Sequence, residues 1–172
     1  RHATQVDGTL TARAGAGGGD GGVIETSSDR LLALNGRVDA SAPTGKPGTL
    51  FLDPYDLIVG TGTPTVALTN NAVAASASPT TGTSYIAPST LVTASKNGAV
   101  SISLNAIHNL TVQQAVNLAQ GTTSVGGSTG GSSLSLHAGN DLTILANITL
   151  GPLTSSGSVP TLTLDAGHNL YV

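Results

Sequence analysis

The 172-residue chain has no cysteine, no methionine and no tryptophan, and only 2% of its residues are aromatic. Absence of cysteine excludes disulfides and thiolate metal sites. Charged residues are also scarce at 9%, with a single glutamate, Glu25, and a net charge of −3. The six Lys and Arg residues, among them Arg13, Arg30, Arg37, Lys46 and Lys96, are scattered, so there is no basic patch. With almost no rings for bases to stack on, nucleic-acid binding is not expected. No apolar run approaches the roughly 20 residues of a membrane span, and no stretch has the pattern of a signal peptide. Helix-forming runs of Glu, Lys and Gln are missing while Gly, Ser and Thr abound, and no long window carries a 3.6-residue apolar stripe.

What the chain does contain is repetition. Residues 102–112 (ISLNAIHNLTV), 134–144 (LSLHAGNDLTI) and 162–172 (LTLDAGHNLYV) are copies of one another, starting 32 and 28 residues apart. Periods of this size mark stacked solenoid units. In each copy an aliphatic pair (Ile102/Leu104, Leu134/Leu136, Leu162/Leu164) alternates with a small hydroxyl residue, the two-residue period of a half-buried strand. An alanine (Ala106, Ala138, Ala166) and turn formers make a corner, and a second strand follows with Leu110/Val112, Leu142/Ile144 and Leu170/Val172. A degenerate copy lies at 50–59, with Pro54 in the corner, where its missing N–H does no harm.

No single copy can bury its own apolar face, so each must be covered by its neighbours. The predicted fold is an all-β parallel solenoid whose core is a narrow column of Leu, Ile, Val and Ala. Weaker strands are predicted at 9–12, 22–26, 31–34, 65–69, 85–87, 91–93, 115–118 and 147–150. At roughly 20–30 residues per coil the chain would make about six to eight coils, a rod of about 30–40 Å. The Gly/Ser/Thr-rich stretches 120–133 and 151–160 read as loop insertions, so residues 1–172 form one β-helical segment. Val172 falls on an apolar repeat position, and the expectation is a fragment of a much longer chain.

Several polar residues invite a chemical reading. His108 and His168 hold equivalent positions with Asn140 between them, beside a second set of Asn109, Asp141 and Asn169. Stacked imidazoles and carboxylates could converge on a metal or act as acid and base. The alternative is a structural ladder, polar corner residues bonding from coil to coil and to the turn backbone, and this is the reading adopted. His137 aligns with Asn105 and Asp165 on the solvent side of the first strand. The run 17–22 with Asp20 faintly matches a calcium nonapeptide, a motif that works by repetition and occurs here in one imperfect copy. Glycosidic cleavage would need paired carboxylates about 5–9.5 Å apart. The pairs available are Asp53/Asp56 and Asp141/Asp165, all at repeat positions that turn chemistry explains. No residue is therefore assigned as catalytic or metal-binding, and no cofactor is expected.

Three stretches carry a likeness to a known family: 18–27 (GGDGGVIETS), 36–40 (GRVDA) and 48–57 (GTLFLDPYDL). In this order they resemble the filamentous haemagglutinin-like exoproteins of Gram-negative bacteria, with 48–57 the most specific part. The later copies with an Ala-Gly corner resemble that family's repeat region, so the likeness covers most of the chain. The second stretch departs from the pattern in having Ala40 directly after Asp39. The resemblance implies a right-handed parallel β-helix within a large rod, extracellular or on the bacterial cell surface, exported by two-partner secretion. It also implies roles in adhesion, aggregation and biofilm formation, without the secretion domain or effector that sit at the two ends of such proteins. The expected partners are neighbouring coils of the same chain, a host-surface, glycan or matrix ligand, and other rods by self-association. The runner-up is a structural fibre or matrix subunit assembling end to end, and a carbohydrate-active β-helix enzyme comes third. An adhesive patch is looked for in the loop 73–89, around Tyr85.

Overall fold

A computed structural model describes residues 3–46, 48–62, 68–69, 72–73, 82–96, 101–118, 132–151 and 159–172. In chain order the strands are β1 (Ala3–Val6), β2 (Thr9–Thr11), β3 (Val23–Ser27), β4 (Leu31–Leu34), β5 (Arg37–Asp39), β6 (Thr49–Asp53), β7 (Asp56–Val59), β8 (Leu68–Thr69), β9 (Ala72–Val73) and β10 (Thr83–Ile86). After helix α1 (Pro88–Lys96) come β11 (Ser101–Ala106), β12 (Leu110–Val112), β13 (Val116–Asn117), β14 (Leu134–Ala138), β15 (Asp141–Ile144), β16 (Ile148–Thr149), β17 (Leu162–Ala166) and β18 (Asn169–Tyr171). The architecture is an all-β solenoid of about four turns.

Two five-stranded parallel sheets form its main walls. The first runs β17-β14-β11-β6-β3 and the second β10-β7-β12-β15-β18. Pairing is in register with the sequence copies: Leu104 faces Leu136, which faces Leu164, and Leu110 faces Leu142, which faces Leu170. The two-residue period therefore aims one aliphatic set inward at every level. Leu50, Leu104, Leu136, Leu110 and Leu142 have no exposed surface. At roughly 1.5–3 kcal/mol for each fully buried aliphatic, this column supplies the cohesion that the sparse charges cannot. Short pairs β2-β5 and β13-β16 make a third wall.

The weaker strand assignments fare unevenly. Residues 31–34 are a strand as expected, and 9–12, 22–26, 85–87, 115–118 and 147–150 hold strands whose ends differ by one or two residues. Residues 3–6 and 37–39 are strands that the repeat pattern did not single out. Residues 91–93, expected as a strand, lie in α1 instead. Pro88 starts the helix, where its fixed φ and missing N–H are tolerated, and the Ala87 carbonyl accepts the Thr90 N–H at 2.9 Å. Leu91 and Ala94, one helical turn apart, are buried, and the buried Ser95 hydroxyl bonds Ser132 Oγ at 2.8 Å. Nine residues are too few for an apolar stripe to register as a period. The insertion 120–133 lies outside the described residues except for 132–133, and 151–160 except for 151 and 159–160. Of the expected strand 65–69, the described part is β8, which pairs β9 antiparallel.

Candidate functional site

The polar residues singled out in the sequence gather at the corner between the first and second sheets and on the outer face beside it. The corner backbone is tied coil to coil: His108 N–H donates to Tyr55 O at 2.8 Å, Asn140 N–H to His108 O at 2.7 Å, and His168 N–H to Asn140 O at 2.9 Å. Coils approach so closely here that a Cβ on Gly139 would overlap the Ile107 carbonyl oxygen, and one on Gly167 the Gly139 carbonyl oxygen. Glycine at these corners is a requirement of stacking.

A side-chain ladder runs alongside. Asp56 Oδ1 accepts the Asn109 N–H at 3.0 Å, Asn109 Oδ1 accepts the Asp141 N–H at 3.2 Å, and Asp141 Oδ1 accepts the Asn169 N–H at 3.2 Å. Each Asx side chain thus satisfies a backbone donor of the following coil, the local side-chain-to-backbone bonding that these short residues favour. The outer corner residues fill in around it. His108 Nδ1 is 3.0 Å from Asp56 Oδ1, Asn140 Nδ2 donates to Asn109 Oδ1 at 2.9 Å, and His168 Nδ1 is 3.2 Å from Asp141 Oδ1. The amides of Asn109 and Asn169 also reach the same ring nitrogens, at 3.1 and 2.7 Å. One Nδ1 cannot serve both partners with one proton. Protonated it donates to the carboxylate, and bare it accepts from the amide. The Tyr55 ring stacks on His108 with centroids 5.3 Å apart, and the Arg30 guanidinium lies 6.0 Å from the Tyr55 ring centre.

Asp53, Asn105, His137 and Asp165 form the second column, on the outer face of the first sheet. His137 Nδ1 is 2.7 Å from Asp165 Oδ2, while Asn105 Nδ2 reaches Asp53 Oδ1 at a long 3.5 Å. Burial, and then repulsion from Glu25, hold the Asp53 carboxyl above its usual range, against the opposing pull of Asn105 and His137. Asp53 and Asp29 line a 390 Å³ cleft with Thr4, Ser27, Ser28 and Ile107. Asp56 and Asp165 are not among its walls. The carboxylate pairs considered for glycoside cleavage are thus divided between columns, and Asp56, Asp141 and Asp165 each face an imidazole.

Near the first coils, Asp20 Oδ1 accepts the Lys46 N–H at 2.8 Å, bracing a turn in which Gly18 and Gly19 take φ of 92° and 110°. Among the described residues, no three His, Asp or Glu side chains gather in a metal-binding arrangement. The loop 73–89 is described at 73 and at 82–89, where it is strand β10 and the start of α1, packed into the solenoid. The strand at 85–87 was expected from the sequence, but the Tyr55–His108 stack was not visible there, because Arg30, Tyr55 and His108 are brought together only by the coil register. Comparison with known proteins gives no significant match to a family model, to a curated protein or to a solved structure.

Proposed function

We propose that the chain is a non-catalytic rod segment of a large extracellular or cell-surface bacterial exoprotein, adhesin-like and similar to the filamentous haemagglutinins. The observation that carries this reading is the ladder in which the side chains of Asp56, Asn109 and Asp141 each hold the turn backbone of the following coil. A surface whose carboxylates and imidazoles are spent on stacking suits a spacer that presents a ligand-binding region, and function must be sought in a site rather than in the fold. The winding is right-handed, as connections between parallel strands of one sheet nearly always are. The repeat makes, in this reading, about six to eight coils of roughly 20–30 residues each. In this reading the rod is exported by a partner transporter and meets a host-surface, glycan or matrix ligand.

The alternative reading is a structural fibre or matrix subunit that assembles end to end. Display of the chain on a non-adherent bacterial cell separates the readings. Retention on matrix-coated or glycan-coated surfaces at least several-fold above undecorated cells is the adhesin outcome. No retention, with end-to-end filaments of the purified chain in electron micrographs, would replace it with the fibre. Release of reducing ends from a polysaccharide panel would sink both.

A further inference from the structure

The second sheet breaks the order that the first sheet keeps. In the first, β6 pairs directly with β3, the strand one coil earlier. In the second, the strand on that side of β7 is β10, with Thr83 opposite Asp56 and Ile86 opposite Val59. A strand made later in the chain has been laid beneath one made earlier. Among the described residues β4 pairs only with β1. Its link to the rest of that wall runs through β10, where the fully buried Ser84 hydroxyl accepts the Leu32 N–H at 2.8 Å. On the third wall α1 plays the same part. It packs against β5 on one side and β13 on the other, between the β2-β5 and β13-β16 pairs.

We infer that β10 and α1 are a closing key for the early coils. The coils built from β1 to β7 and β11 to β13 close as one unit only when β10 and α1 are in place, while the coils from β14 onward add singly in chain order. Before β10 and α1 arrive, Leu32 and Leu34 of β4 and Leu57 and Val59 of β7 lack the strand that carries Ile86, and Val38 of β5 and Val116 of β13 lack the helix that carries Leu91; all of these are buried in the closed state. Stacking of β14 on β11 needs only one coil's length of chain. Closure at β4 instead joins residues 52 apart, at Leu32 and Ser84, with a larger loop entropy to overcome. Direct pairing of β4 with β7, by the rule β3 and β6 follow, is the competing arrangement that the key displaces.

Hydrogen exchange on the full chain tests this. With Ser84→Pro or Leu91→Asp, the amides of β4 and β5 should lose at least tenfold in protection together with residues 83–96, while β14 and β15 keep the parent values. Loss confined to 83–96 would overturn the inference. If neither variant folds, pulse labelling during refolding of the parent decides. Protection of β4, β7 and β10 in a single phase supports the key, and protection of β4 and β7 in a phase before β10 refutes it.

Discussion

Asn109 shows how much one side chain carries in a stack of this kind. Its Oδ1 accepts both the Asp141 N–H and the Asn140 side-chain amide, so truncation orphans donors in the next coil. Asn109→Ala should cost about 1–2 kcal/mol in urea unfolding. Asn109→Asp should cost less, because Asp already serves at positions 56 and 141; equal losses would mean that the ladder bond carries no weight. Thr26 is the converse case. It stands opposite Leu52 on the inward side of β3, buried, with no hydrogen-bond partner for its hydroxyl. Thr26→Val keeps the shape and removes the orphan, and a gain of about 1 kcal/mol is expected; a loss would reveal an acceptor that the hydroxyl uses. Asp53 links structure to pH. Its folded carboxyl titrates above 3.8 because burial and Glu25 disfavour the charge. Its contribution to stability is full below the unfolded value and is lost as pH rises through the folded one. Asp53→Asn should therefore be the more stable form at pH 7, by up to about 0.5 kcal/mol given the solvent screening of this partly exposed site. The advantage should vanish below about pH 3.8; a difference independent of pH would deny the charge any part.

At the scale of elements, equivalent positions differ in what covers them. Leu136 has a coil on either side and no exposed surface, whereas Leu164 lies in β17, a strand with one neighbour, and is only partly buried. Leu136→Ala should cost about 2–5 kcal/mol, the range for a buried leucine leaving a cavity, and Leu164→Ala clearly less. Equal costs in thermal unfolding would mean that the column does not hold the coils together. This contrast was half legible in the sequence. The three strong copies announced which residues face inward and which corners stack, because a two-residue period and a repeated turn are local properties, whereas the close approach that requires Gly139 and Gly167 is absent from the first copy, which has Ile107 there. The column of His137 and Asp165 was legible for the same reason. What could not be read was anything set by order rather than by pattern. β10 has an ordinary alternating sequence, TSYI, yet takes the place of an earlier strand. Residues 88–96 contain Thr and Val that suit a strand, and the helix is decided by Pro88 and by the wall position between β5 and β13. Tertiary placement overrode propensity there.

For the whole molecule, cohesion is nearly one-dimensional. Each coil bonds to the coil above and below, and the side chains that might have joined distant parts are few. Nearest-neighbour stacks of this sort lose structure from the less covered coils first. In β11 and β12 the inward residues Ile102 and Leu110 are 1% and 0% exposed, while their counterparts Leu162 and Leu170 in β17 and β18 are at 41% and 48%. Native-state hydrogen exchange should accordingly show amides of β17 and β18 exchanging at least tenfold faster than those of β11 and β12, with β14 and β15 between them. The gradient should steepen in mild denaturant, because exposed coils open by fraying while central coils need their neighbours to open as well. Uniform protection from β11 to β18 would instead mean that the stack unfolds as a single cooperative block. The coil-to-coil ladder, common to all these levels, would then outweigh the apolar column, whose cover varies from one coil to the next.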